Sequence, residues 1–140
     1  MNKMKLGAII LVLLFIICSI CVYTVPALRV GTFVKLYHEQ IENALTVGHG
    51  VPADEAVILG YKAVNSWNAE HPMTEFVIMN VGGAYYGCYF SPDDVPLAFQ
   101  NTDAILTSCG QDCWEWNGEG DNHGITSKIS DRWYFFKAIF

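Results

Sequence analysis

Basic side chains are scarce in this chain: 8 Lys and Arg stand against 14 Asp and Glu, for a formal net charge of −6. Proteins that grip nucleic acid neutralise phosphates with clustered Lys and Arg, and no such cluster occurs here, so no nucleic-acid partner is expected. Sequence repeats and low-complexity stretches are absent as well. No Gly-x-Ser-x-Gly elbow or phosphate-cradling glycine loop is found, Cys109 and Cys113 are spaced one residue wider than the Cys-x-x-Cys of thiol redox sites, and Cys18 and Cys21 lie inside an apolar run, so nothing points to serine hydrolysis, nucleotide chemistry or thiol redox exchange. No cofactor is expected on these grounds.

What the chain does have is one long uncharged run. Leu6 to Val25 reads LGAIILVLLFIICSICVYTV, without charge or proline. At about 1.5 Å per helical residue it covers about 30 Å, the thickness of a bilayer's hydrocarbon core. It is apolar on every side, which argues against a helix with one face on a soluble core. Lys3 and Lys5 precede it and all 14 acidic residues follow it. The positive flank is expected to stay in the cytoplasm, with the acidic remainder extracytoplasmic, periplasmic or extracellular. Val25-Pro26-Ala27 offers small residues to a signal peptidase. The run nevertheless exceeds the about 7–15 apolar residues of a typical signal peptide, so a retained single-pass anchor is expected. The chain thus divides into an anchor, residues 1–26, and one domain, residues 27–140.

Within the domain, Val30, Phe33, Val34, Tyr37, Ile41, Ala44 and Leu45 fall on one helical face, and Gly48 and Gly50 end the pattern. This helix is placed to continue from the anchor as a stalk leaning on the domain. A second helix is predicted from Pro52, with Asp54 and Glu55 in its first turn, through Ala56, Gly60 and Ala63 to Trp67, stopped by His71-Pro72. The period then becomes strand-like. Glu75–Asn80 and Ala84–Phe90 flank Gly82-Gly83 as a hairpin. Cys113–Trp116, Ile125–Ile129 and Arg132–Phe140 read as three further strands, the last apolar enough to be buried on both sides. Val95 to Ser108 reads as a short helix and a connector. The expected class is α+β: a transmembrane helix, then two helices packed on an antiparallel sheet of about five strands. In element order alone this resembles PAS-like extracytoplasmic sensor domains.

Three cysteines lie beyond the apolar run. In an oxidising compartment Cys109 and Cys113, joined by a tight glycine-containing loop, are the leading disulfide, with a bridge from Cys88 to either one as the rival. Asn117 to Gly124 is polar and glycine-rich but lacks the glycine and glutamate positions of a calcium loop. His123 stands among carboxylates without a nearby partner histidine, and His38-Glu39 lacks the second histidine of a zinc-protease helix, so no metal is assigned. Tyr85, Tyr89, Trp114 and Trp116 lie on neighbouring strands. If helices cover the opposite face, these rings are candidates for a protein interface, the alternative being that they form core.

The expected function is a membrane-tethered module that modulates or inhibits another membrane or envelope protein. Alternatives are a small-ligand-binding, sensor-like domain and, last, a metal- or thiol-dependent enzyme.

Overall fold

The structure, a computed structural model, describes residues 3–47 and 60–140. Two helices, α1 (Lys3–Thr24) and α2 (Pro26–Val47), precede seven strands. These are β1 (Ala63–Trp67), β2 (Met73–Val81), β3 (Ala84–Phe90), β4 (Leu106–Gly110), β5 (Cys113–Asn117), β6 (His123–Ser130) and β7 (Trp133–Ile139). All pairings are antiparallel, in one sheet of order β1-β2-β3-β7-β6-β5-β4. The α+β class fits, with seven strands rather than about five.

Two differences from the sequence reading explain the count. The predicted second helix, Pro52 to Trp67, begins outside the described residues, and its last part is β1. Ala63, Asn65 and Trp67 point to one side of the sheet and Val64 to the other, a period of two that pairing with β2 enforces. Edge strand β4 lies in the stretch read as a connector. Its residues from Thr107 to Gly110 are exposed, so no apolar alternation marks it.

The helices meet at Val25. Its amide donates to Cys21 O at 2.9 Å and its carbonyl accepts from the Arg29 amide at 3.0 Å, so the residue closes α1 and opens α2. Pro26 lacks an N–H, and the helical ladder is interrupted at this junction. Leu6–Thr24 in α1 is 0% buried, and is long and apolar enough to cross a membrane. Ser19 and Thr24 turn their hydroxyls onto the carbonyls of Phe15 and Ile20, which keeps those polar groups satisfied within the helix.

α2 lies on one face of the sheet. Val30, Phe33, Val34 and Ile41 are buried, matching the predicted stripe, with Tyr37 and Leu45 partly covered. Phe33 meets Phe76 at 5.7 Å and Tyr61 at 6.3 Å between ring centroids, and Phe76 in turn meets Trp133 at 6.0 Å. A fully buried ring of this kind contributes about 1.5–3 kcal/mol. Further along α2, Glu42 pairs with the Arg132 guanidinium and accepts from Trp133 Nε1 at 2.7 Å. The helix therefore runs toward the start of β7, and its N-terminus lies at the opposite end of the sheet. That near end holds the β2–β3 tip at Gly82-Gly83, the end of β7 and the starts of β4 and β6, since Ala84, Ile139 and His123 are in register. Val22, in the last turn of α1, also packs against this core.

Candidate functional site

The other face of the sheet is covered by chain rather than by helix. Residues 91–105 cross it as a strap, with one 3-10 turn at Phe99–Asn101. Ser91 starts the strap: its amide donates to Arg132 O at 2.8 Å and its hydroxyl accepts from the Val95 amide at 3.2 Å. Tyr89, wholly buried, then holds the middle. Its hydroxyl accepts from the Leu97 amide at 2.7 Å and lies 2.8 Å from Thr126 Oγ1, which itself donates to Phe135 O at 3.2 Å. Burial raises the Tyr89 phenol, so it stays a neutral hydroxyl. Gln100 and Asn101 adopt left-handed backbone (φ 56° and 51°), uncommon for residues with a Cβ. The first turns the Gln100 amide onto Glu75 Oε2 at 3.1 Å.

Glu75 is the buried ion-forming group of this layer, 0% exposed on β2. Its Oε1 accepts from Asn65 Nδ2 at 3.3 Å. Burial pushes its carboxyl up from 4.5 to about 7, against the pull of the Gln100 amide and the Asn65 side chain. Phe99 seals the strap, with its ring 5.0 Å from Phe136, 5.3 Å from Phe140 and 6.3 Å from Tyr85.

Beside the strap an open groove of about 630 Å³ is lined by Phe99, Ala104, Ile105, Trp116, Asn117 and Phe140, among others. A second hollow shares Phe99, Gln100 and Phe140. Trp116 lies across Gly124, where an added Cβ would strike the indole ring and the Lys137 carbonyl. Its Nε1 is buried and has no hydrogen-bond partner among the described residues. The groove therefore offers aromatic walls, while Trp116 Nε1 is itself buried.

The four rings expected at an interface thus separate. Tyr89 and Trp116 are buried, 0% and 3% exposed, because the strap covers the face that helices leave open. They lie in the core, the alternative weighed for these rings. Tyr85 and Trp114 are half-buried, Tyr85 5.7 Å from Phe140 and Trp114 6.3 Å from Tyr134. Cys109 and Cys113 are at disulfide distance, S–S 2.03 Å, across the β4–β5 turn. Cys88 is a free, fully buried thiol, its ionisation opposed by burial and then by the Glu75 charge.

No group of three or more His, Cys, Asp or Glu is placed to hold a metal among the described residues. His123 Nδ1 lies 2.6 Å from Asp121 O, and His38 Nδ1 3.1 Å from Val34 O. His71 pairs with Asp93 at 3.1 Å. His49 lies outside the described residues. At the far end of the sheet Asp94 accepts from Lys128 Nζ at 2.6 Å and the Arg132 amide at 2.8 Å, contacts that hold its carboxyl below 3.8.

Sequence reasoning missed Glu75, Gln100, Phe99, Ile105 and Phe140. A glutamate inside an apolar strand was the available signal, since a charge there needs a partner from elsewhere in the chain. Comparison of the chain with known protein families, with curated proteins and with solved structures finds no match.

Proposed function

We propose that this chain is a membrane-anchored interaction module whose domain stands outside the cytoplasm and modulates or inhibits another membrane or envelope protein. The observation that carries the reading is the junction at Val25: one residue, hydrogen-bonded to both, joins a helix apolar enough for lipid to the helix that packs on the sheet. Such a joint holds a folded domain at a fixed place beside a membrane, which suits engagement of a neighbour in that membrane. Two further features support it. Lys3 and Lys5 precede the apolar run, the pattern of a cytoplasmic N-terminus. Cys109 and Cys113 are at bonding distance, and such bridges persist in oxidising compartments. The outer edge of β4 leaves backbone groups free to pair with an extended segment of the neighbour.

In-cell photo-crosslinking tests the reading. A photoreactive residue replacing Thr107, exposed on β4, is expected to give one discrete adduct with a membrane protein, while the same residue at Lys35 on α2 gives none. Adducts absent from both positions, or a reporter fused after Phe140 that works only in the cytosol, overturn it.

A second reading, a small-ligand site, is favoured by the groove and the unpartnered Trp116 Nε1. A thermal shift with a small acceptor-bearing apolar compound, lost in Gly124→Val, supports that alternative.

A further inference from the structure

In the strands and the strap, the large hydrophobic side chains exposed among the described residues are Val81 (51%), Ile105 (82%) and Phe140 (53%), while α2 also exposes Leu28, Leu36 and Val47. The first three sit at the near end of the sheet. Val81 closes β2 at the hairpin tip, Phe140 follows Ile139, which pairs with Ala84, and Ile105 precedes Leu106, which pairs with Trp116 beside the end of β5. This is also the end from which α1 departs. Val22, in the last turn of α1, touches the domain's core, so the near end reaches the level of the last apolar turn. The far end is different in character: its turns carry Asp93, Asp94, Asp112 and Asp131, and the large apolar side chain exposed there among the described residues is Val47, at the end of α2.

From this placement we infer that the near end of the sheet is a lipid-docking surface, with Val81, Ile105 and Phe140 entering the headgroup–acyl boundary of the bilayer that holds α1. The inference rests on the proposed anchoring of α1 and adds to it a second contact with the same membrane. Three side chains set in one end of a rigid sheet bury apolar area without further loss of chain entropy, because the α1–α2 joint and the packing of Val22 on the core have already brought them to the interface. Tyr23, beneath the Arg29 guanidinium at 5.6 Å from its ring centroid, stands where an interfacial aromatic is expected. Glu119 and Asp121, in the β5–β6 turn, lie at the same end. The surface therefore suits zwitterionic headgroups and gains nothing from anionic ones.

The test uses the full chain, isotope-labelled, in phosphatidylcholine nanodiscs doped with a lipid bearing a gadolinium chelate on its headgroup. The amide signals of Gly82, Gly83, Ile105 and Phe140 are expected to be bleached together with those of Thr24 and Ala27, while Asp93, Asp112 and Asp131 keep their intensity. Ile105→Asp, at a position too exposed to disturb the core, is expected to restore part of the Phe140 signal and leave the far end unchanged. Adding phosphatidylglycerol is expected not to deepen the bleaching.

Bleaching at Thr24 and Ala27 with full intensity at Gly82, Gly83 and Phe140 overturns the docking and leaves the anchoring standing. Near-end residues that become protected only when a protein partner is added give that same result with lipid alone. Bleaching of the near and far ends alike also overturns it. Full intensity at Thr24 and along α1 removes the anchoring, and the docking with it.

Discussion

The two faces of the sheet are buried by different means. Under α2 the contact is dry: Phe33, Phe76, Phe90 and Trp133 interlock, and the polar link Glu42 makes to Arg132 and Trp133 lies at the margin. Under the strap the same sheet buries Glu75, Tyr89 and Thr126, joined to a segment that is mostly irregular. A helix satisfies its own backbone and needs only an apolar stripe to dock. A strap leaves amides to be satisfied by its neighbour, so buried polar side chains become its fasteners. Apolar area thus holds the first face, and on the second a few oriented hydrogen bonds add to the apolar contacts of Phe99, Phe136 and Trp116.

Substitutions on each face sharpen that contrast. Phe33→Ala empties the centre of the dry face and is expected to cost about 3–5 kcal/mol in chemical denaturation. A loss below about 1 kcal/mol would mean that α2 contributes little to the domain.

Glu75→Gln acts on the fastened face and with the opposite sign. The wild-type carboxyl titrates near 4.5 when unfolded and about 7 when folded, so between those values the folded chain binds more protons and stability falls as pH rises. The glutamine variant lacks that slope. Above pH 7 it is expected to gain on the order of 3 kcal/mol. Asp94, held below 3.8 when folded, changes stability only in more acidic solution and leaves this window clear. Parallel pH profiles for wild type and variant would refute the assignment.

Tyr89→Phe is the mildest change. It removes the acceptor for the Leu97 amide and is expected to cost about 1–3 kcal/mol, with faster hydrogen exchange at Leu97 and Gln100. Unchanged exchange at Leu97 would show that the strap is held by Phe99 instead.

The same contrast explains what could be read from the sequence. The α2 stripe is legible because Val30, Phe33, Val34 and Ile41 repeat at helical spacing, and β3 and β7 because their rings alternate over both faces. The Cys109–Cys113 pairing is legible because a short glycine-containing loop separates the residues. β1 is not, because Ala63-Val64 continues a series of small residues at helical spacing and only pairing with β2 turns it into a strand. β4 is not, because an edge strand that buries little needs no apolar pattern. The strap is hidden for a third reason. Its anchors are single atoms, an amide turned by left-handed Gln100 and a tyrosine hydroxyl, and composition does not record where an N–H points. Without it, Tyr89 and Trp116 look like surface rings.

The joint at Val25 has a mechanical consequence. α1 and α2, 22 residues each, are two arms of about 33 Å at about 1.5 Å per residue, with the sheet clamped to the second. Whatever tilts the apolar arm swings the turns at Asp94 and Asp131 through an arc, and a load on those turns is returned to the apolar arm as torque. Pro26, where the ladder is interrupted, is the pivot at which this transmission is softest, and an alanine there would stiffen the joint.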